Sequence, residues 1–202
     1  MANLAAIRSV GASLERYFNH AYQDAVFPQG VTKPACTFTL ATIGGLDDTK
    51  VSLDNSAQVM IFLYKVGINP HLRNAGSLSD RERQPAPISV DLHYLFSFWA
   101  SSAENEQLVL AWTLRELQAI PVLDRSILTG EAGWSAEEIV QMVPEEISTE
   151  EMMRIWDTLQ PDYRLSLSYV ARVVRIDPDP EQHHRPVAAS RFNFAAPTEG
   201  WS

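Results

Sequence analysis

The sequence is poor in cysteine, with Cys36 as the only one among 202 residues. A single thiol cannot form an internal disulfide or build a thiolate cage for a metal ion, and it is typical of proteins that fold in a reducing compartment. No run of about 18 apolar residues occurs, so no membrane-spanning helix and no direct membrane insertion are predicted. Arg8 and Glu15 interrupt the N-terminal stretch, which therefore lacks the apolar segment of a signal peptide. We expect assembly in the cytoplasm.

Basic residues are also scarce, since 16 Lys and Arg stand against 25 Asp and Glu, for a net charge of -9. This balance argues against a general affinity for nucleic acid or for anionic membranes. The acids concentrate in one region: residues 131–162 contain nine of them and one base, Arg154. That region could face a basic partner, but a solvated acidic surface is the simpler interpretation.

The motifs of common enzyme classes are missing from the sequence. It has no G-x-S-x-G elbow, no phosphate-binding G-x-x-x-x-G-K and no H-E-x-x-H metal motif. His183 and His184 are adjacent and would point apart in an extended chain, and neighbouring acids such as Glu145 and Glu146 are typical of a charged surface. We therefore predict no catalytic residue, no metal ligand and no cofactor-binding residue.

Hydrophobic residues make up 46% of the chain, enough for a full core in one domain. Apolar positions at spacings of three and four predict a first helix over Leu4–Ala21, with Asn3 as its N-cap and Gly11 as a weak point. Alternating or strongly apolar runs predict strands, and these cover residues 36–43, 57–66, 88–100, 137–147 and 164–176. In the last of them, the pattern places Val173 on the same face as Tyr169 and Ala171.

Two S-x-x-E capping boxes predict two further helices. Ser101 and Glu104 precede a segment that is apolar nearly all round from Leu108 to Leu114, which indicates burial on more than one side. Ser148 and Glu151 start a helix that ends near residue 160. The order of elements favours an α+β fold with a mainly antiparallel or mixed sheet flanked by helices. The predicted domain spans residues 1–177.

The segment "PISVDLHYLFSFWA" contains the one pair of residues that suggests chemistry, Asp91 and His93. Positions i and i+2 of a strand share a face but lie about 6.5 to 7 Å apart, too far for an undistorted hydrogen bond. A hydrolase would also need a nucleophile, and neither Ser89 nor Ser97 stands in an elbow motif. We interpret Asp91 and His93 as structural or interface residues and keep a hydrolase as an alternative.

Two further segments suggest contacts with a partner. A polar loop spans residues 67–87, and a proline-rich tail spans residues 178–202, in which "SRFNF" could add to a partner as an edge strand. Including the pair on the strand, the candidate interface residues are Asn69, His71, Arg73, Asn74, Asp91, His93, Trp112, Phe192, Phe194 and Trp201.

Four segments in a fixed order carry a resemblance to a known family. They are "VMIFLYKVGINPHLRN", "ISVDLHYLFSFWA", "EQLVLAWTLRELQAIPVL" and "LSLSYVARVVRID". This set resembles the N-terminal domain of tail-terminator, or cap, proteins of phage-tail-like contractile injection systems, and the resemblance covers residues 3–177.

The resemblance implies an assembly role without cofactor or catalytic residue. Members of this family are similar in fold to phage tail terminators, which form a hexameric ring. The ring closes the inner tube and meets the last sheath layer. The implied partners are other copies of the chain, the tube protein and the sheath protein, in a particle that is either released or membrane-associated. A monomeric protein-binding adaptor, using the loop and the tail, remains the other alternative.

Overall fold

A computed structural model describes residues 2–45, 56–69, 87–159 and 162–178. Its three helices are α1 (Ala6–Asp24), α2 (Ala103–Ala119) and α3 (Thr149–Asp157), and its six strands are β1 (Ala35–Ala41), β2 (Ser56–Ile68), β3 (Ile88–Ala100), β4 (Val122–Leu123), β5 (Val140–Pro144) and β6 (Ser166–Ile176). The strands form one sheet in the order β1-β2-β3-β6-β5-β4. Strands β1 and β2 pair in parallel and all other neighbours are antiparallel. The predicted α+β class with a mixed sheet is confirmed.

Helices α1 and α2 cover one face of the sheet, which we call the first face. Aromatic side chains fill the space between them: the Phe18 ring stacks on Phe38 at 5.1 Å, and the Trp112 ring meets Tyr22 edge-on at 4.8 Å. Trp112 is only 5% exposed. It is therefore a core residue of the single chain, whereas the sequence pattern had suggested an interface residue.

Close packing between α1 and the sheet depends on Gly11. A Cβ atom at this position would lie 3.0 Å from the Leu40 Cδ1 atom, which is tighter than normal van der Waals contact. The sequence predicted Gly11 as a weak point of the helix. The structure adds the reason for a glycine there, since the missing side chain lets the helix approach β1.

The opposite, second face of the sheet carries a smaller core under α3. Its buried residues are Met60, Phe62, Leu95, Trp99, Trp156 and Leu159. Because successive residues of β3 point to opposite faces, Phe96 and Phe98 belong to the first face while Leu95 and Trp99 belong to the second. The strand predicted over residues 88–100 is confirmed. The capping box of Ser148 and Glu151 is also present at the start of α3.

The structure corrects the predicted starts of the other two helices. The N-cap of α1 is Ala5, and the Asn3 side chain accepts a hydrogen bond from the Ala5 N–H at 2.8 Å in the turn before the helix. The N-cap of α2 is Ser102 rather than Ser101, because the Ser102 side chain accepts from the Asn105 N–H. A shift of one residue is invisible to a motif search where two serines stand side by side.

Helix α2 is buried on one side only in the single chain, contrary to the prediction. Val109, Trp112 and Leu117 point into the core, whereas Ala111 is exposed and Leu114 is 38% exposed. The outer side of α2, where Ala111 and Leu114 stand among polar residues such as Arg115 and Gln118, therefore faces away from the core. None of the helices in the described ranges is long and apolar enough to cross a membrane.

A bulge in β6 overturns the predicted position of Val173. The pairing register with β3 shifts between Val90 and Leu92, and Val173 has a φ of 62°. The extra residue reverses the alternation, so Val174 is fully buried and Val173 is 37% exposed. A simple period of two cannot predict this reversal.

Candidate functional site

Asp91 and His93 lie on the second face of β3, where the strand runs between β2 and β6. The pairing places Asp91 opposite Gly67 and His93 opposite Lys65 of β2. Both side chains are partly buried. This position brings them next to the bulge of β6 and next to the segment that connects β5 to α3.

The Asp91 carboxylate stabilises the bulge. Its Oδ1 atom accepts the Val173 N–H at 3.0 Å, and its Oδ2 atom accepts from the Asn69 side chain at 3.4 Å. A β-branched residue with φ in the left-handed region is strained by about 1 to 3 kcal/mol and persists only when its surroundings hold it. Asp91 therefore has a structural role in this chain, and it also links β3 to Asn69 at the end of β2.

His93 belongs to a group of four polar side chains, Tyr64, His93, Glu145 and Ser168, which we call the Glu145 cluster. The His93 Nδ1 atom lies 2.9 and 3.0 Å from the two carboxylate oxygens of Glu145. Tyr64 donates its hydroxyl to Glu145 Oε2 at 2.6 Å, and Ser168 donates to the same oxygen at 2.9 Å. One carboxylate thus ties together β2, β3 and β6.

The cluster keeps Glu145 ionised. Partial burial alone would raise the pKa of this carboxyl, but hydrogen bonds from Tyr64, His93 and Ser168 favour the charged form, and the pKa is lowered overall. Burial, and then the bond to Glu145, raises the pKa of Tyr64 to about 12. Tyr64 is therefore a neutral donor near pH 7, and the contact between donor and carboxylate is charge-assisted.

The geometry of the cluster differs from that of a catalytic triad. In a triad the carboxylate orients the histidine, and the histidine accepts the proton of the nucleophile. Here Ser168 and His93 both bond to the Glu145 carboxylate, so the histidine does not activate the serine. Within the described ranges, no group of three or more His, Cys, Asp or Glu side chains could hold a metal ion.

The Glu145 cluster positions α3. Glu145 follows the end of β5 at Pro144 and precedes Ser148, the N-cap of α3. The Glu145 N–H also donates to the Ser168 carbonyl at 2.9 Å. The connection into α3 is therefore fixed to the sheet through both its backbone and its side chain.

Three members of the cluster, Tyr64, Glu145 and Ser168, do not stand out in the sequence. Glu145 and His93 are 52 residues apart, and Glu145 was assigned to a charged surface. Only the strand register brings them together. Of the predicted interface residues, His93 belongs to the cluster, and Asp91, bonded to Asn69, lies two residues before it on β3. The others apart from Trp112 lie outside the described residues: His71, Arg73, Asn74, Phe192, Phe194 and Trp201.

Comparisons with known proteins identify relatives over most of the chain. A family model described as the Pvc16 N-terminal domain matches residues 9–190. One similar structure is the sheath/tube terminator of an extracellular contractile injection system (PVC) in its extended state, with a TM-score of 0.54, 22% sequence identity and coverage of 97% of this chain and 65% of that chain.

A second similar structure is the tube-terminating cap of the anti-feeding prophage. Its TM-score is 0.53 at 18% identity, and the match covers 92% of this chain and 60% of that chain. The chain thus spans about three fifths to two thirds of the length of these two proteins. No curated protein matches the chain.

Proposed function

Because the chain belongs to the Pvc16 N-terminal domain family, we propose that it serves as the structural cap, or tail terminator, of a contractile injection system. In this role, six copies form a ring that closes the inner tube at the end distal to the baseplate and contacts the last sheath layer. The partners are other copies of the chain, the tube protein and the sheath protein. The role is structural and requires no chemistry from the Glu145 cluster.

The observation that carries this proposal is the likeness in fold to two terminators over 97% and 92% of the chain. Both matches involve nearly all of this chain and only part of the other. The proposal therefore concerns only the part of the two terminators that this chain matches. It does not extend to functions of the other parts of those longer proteins.

The surface of the chain offers two unlike patches, as a ring requires. In a ring, one patch of each subunit meets a different patch of the next subunit. One patch is the outer side of α2, where Ala111 and Leu114 are exposed in the single chain. The other is the end of the antiparallel pair β2–β3, where the Asp91 carboxylate accepts a hydrogen bond from Asn69.

The predicted interface residues next to Asn69 in sequence, His71, Arg73 and Asn74, belong to this second patch in our proposal. The tail residues Phe192, Phe194 and Trp201 act as a strap over the neighbouring copy. A chain truncated before Gln182 should then form rings less well than the full chain. Intact rings from the truncated chain would remove the strap from the proposal and leave the cap.

Self-association is the first testable part of the proposal. Six copies at 22.6 kDa each weigh about 136 kDa, and we expect this mass by mass photometry, with rings in negative-stain images. Leu114→Asp should reduce the mass to that of a single chain, because it places a charge in the contact. Val26→Asp, at a position that is 84% exposed on the connection after α1, is the matched control and should leave the rings unchanged.

The alternatives make different predictions for the same samples. A chain that stays monomeric at tens of micromolar, alone and with tube ends present, would favour the monomeric adaptor. A turnover that is lost in His93→Gln would favour the hydrolase. For the cap, we expect the double variant Asp91→Asn with His93→Gln to assemble largely as the unmodified chain does, since an asparagine side chain at position 91 still offers an oxygen to the Val173 N–H.

A further inference from the structure

The outer edge of β1 is closed to further strands by a side chain of α1. Asn19 Nδ2 donates to the Phe38 carbonyl at 2.7 Å, and the Phe38 N–H donates to Asn19 Oδ1 at 3.0 Å. This pair of bonds occupies the backbone groups in the middle of the edge strand. A side chain that mimics a neighbouring strand is one way to blunt an edge against unwanted pairing.

The opposite edge of the sheet is closed in a different way. Strand β4 has only two residues, and beside it the Met142 N–H donates to the Pro121 carbonyl at 2.9 Å. Pro144, the last residue of β5, has no N–H to offer. This edge is therefore too short and too poor in donors to extend the sheet.

A third stretch of edge, on β2, is open in the described part of the chain. Strand β1 ends at Ala41, which pairs with Phe62, while β2 continues to Ile68. The Asn69 N–H donates to the Ser89 carbonyl of β3. Because backbone groups alternate sides along an antiparallel strand, those of Val66 and Ile68 point away from β3. No described strand pairs with them on that side.

A largely apolar cavity of about 590 Å³ lies between the start of α1 and the end of β1 with residues 42–44, and it reaches β2 at Leu63, next to the open edge. Its lining includes Ile7, Arg8, Gly11 and Tyr94. Tyr94 is 1% exposed, and its hydroxyl makes no hydrogen bond to any described residue. The cavity thus has room for apolar side chains and holds one unused polar group at its wall.

The two faces beside the open edge differ in chemistry. Val66 and Ile68 pair with Leu92 and Val90 of the first face and are 46% and 67% exposed. Lys65 points to the second face, is exposed and forms no ion pair with any described residue. A strand placed along this edge would meet apolar surface on one side and a cation on the other.

We propose that the open edge of β2 over Lys65–Ile68 binds an extended segment of a partner polypeptide, in which apolar residues alternate with acidic ones. The segment adds to the sheet by hydrogen bonds to the backbone groups of Val66 and Ile68. Its apolar side chains enter the cavity beside Leu63, and a carboxylate pairs with Lys65.

The positive charge of Lys65 favours some polypeptide segments over others as binding partners of this edge. The bulge in β2 between Leu63 and Lys65, like the lysine itself, discourages indiscriminate pairing and favours a strand that brings a carboxylate. The C-terminal segment of this chain fits less well, because residues 190–194 include Arg191 and no acidic residue that could pair with Lys65. This edge adjoins Asn69, which the proposed ring uses as a contact, so the peptide is tested on the Leu114→Asp variant, in which no ring is expected. The binding of the peptide is then read separately from the proposed function.

The test is amide hydrogen exchange of the full chain carrying Leu114→Asp, followed by NMR, with and without an eight-residue peptide that alternates valine and glutamate. We expect saturating peptide to slow exchange at Val66 and Ile68 at least tenfold. The Gly67 amide should change little, because it faces β3. The same peptide with lysine in place of glutamate, or N-methylated on the amides that would face β2, should have no effect.

Two variants sharpen the test. Ile68→Pro removes one outward N–H and leaves the β2–β3 ladder intact, so it should weaken peptide binding at least tenfold; Ile68→Thr keeps the N–H and should bind within twofold of the unmodified chain. Protection of Val66 and Ile68 in the free chain would show that the chain covers its own edge and would overturn the proposal. Unchanged exchange at millimolar peptide, or equal protection by the lysine peptide, would overturn it as well.

Discussion

The two faces of the sheet are covered by different means. On the first face, α1 and α2, with 19 and 17 residues, close an apolar core around Phe18, Phe38 and Trp112. On the second face, α3 has only nine residues, and the core there has six buried side chains, including Trp156 of α3 itself. So short a helix is not stable by itself, and its apolar contacts are few. The Glu145 cluster supplies the additional attachment that the second face needs.

The comparison shows where polar groups matter in this fold. On the first face, hydrogen bonds such as Tyr17 to Glu116 and Trp134 to Ser9 accompany an extensive apolar core. On the second face the apolar core is small, and a carboxylate with three donors holds the short helix, together with a capping box at Ser148. Disruption of the first face should therefore unfold the whole chain, whereas disruption of the second should release α3 first.

The largest expected effect is on the first face. Phe18 is fully buried and packs against Phe38, Phe96 and Trp112. We expect Phe18→Ala to reduce the free energy of unfolding by about 3 to 5 kcal/mol, from lost burial and the cavity left behind. Urea denaturation followed by tryptophan fluorescence measures this. A loss below about 1 kcal/mol would contradict the assignment of this face as the main core.

The second effect concerns the Glu145 cluster. Glu145→Gln removes the charge and replaces one of the two acceptor oxygens with an NH2 group, which can only donate. The hydrogen bonds from Tyr64, His93 and Ser168 therefore cannot all persist. We expect a loss of about 1 to 2 kcal/mol and faster hydrogen exchange in α3 than in α1. Glu146→Gln, at the exposed neighbouring position, is the matched control. Equal effects of the two substitutions would show that the cluster does not anchor α3.

The same carboxylate predicts a dependence on pH. The pKa of Glu145 is lowered in the folded chain from an ordinary value of 4.5, so its contribution to stability is present above that value. It is lost as the pH falls through the lowered pKa of the folded state. The difference in unfolding free energy between the unmodified chain and Glu145→Gln should therefore shrink below about pH 4.5. A difference that grows with acid would mean that the pKa is raised.

The smallest expected changes in stability come from removing the helix caps of the two faces. Ser148→Ala and Ser102→Ala each remove one side-chain acceptor at a helix start and should cost about 1 kcal/mol. Ser101→Ala is the control, because Ser101 is not the cap and should change stability by less than about 0.5 kcal/mol. Exchange rates in α3 should rise more with Ser148→Ala than those in α2 with Ser102→Ala. The reverse order would mean that the short helix is not the weaker one.

Much of the fold follows from local sequence patterns. The predicted strand at residues 88–100 agrees with β3, because a period of two is a strong signal in a long strand. The capping box at Ser148 is equally local. The reversal in β6 was missed because a bulge depends on the neighbouring strand. The outer side of α2 was misjudged because an apolar pattern does not show which sides of a helix the rest of the chain covers.

The site was much less predictable than the fold. Asp91 and His93 stood out as a pair, yet each one bonds to a residue far away in the sequence, Val173 and Glu145. Those partners are set by the register of β3 with β6 and by the path from β5 to α3. The open edge of β2 was equally hidden, since it exists only because β1 ends before β2 does.

The most direct test of the proposed role as a cap is to locate the chain on assembled particles. The full chain would carry a gold label and be mixed with tubes and sheaths of its particle, and the positions of the label would be scored by electron microscopy. We predict label at one end of each tube, with six copies per labelled end, and no further growth at that end. Label along the length of the tubes, or tube ends that bind no chain and continue to grow, would contradict the account.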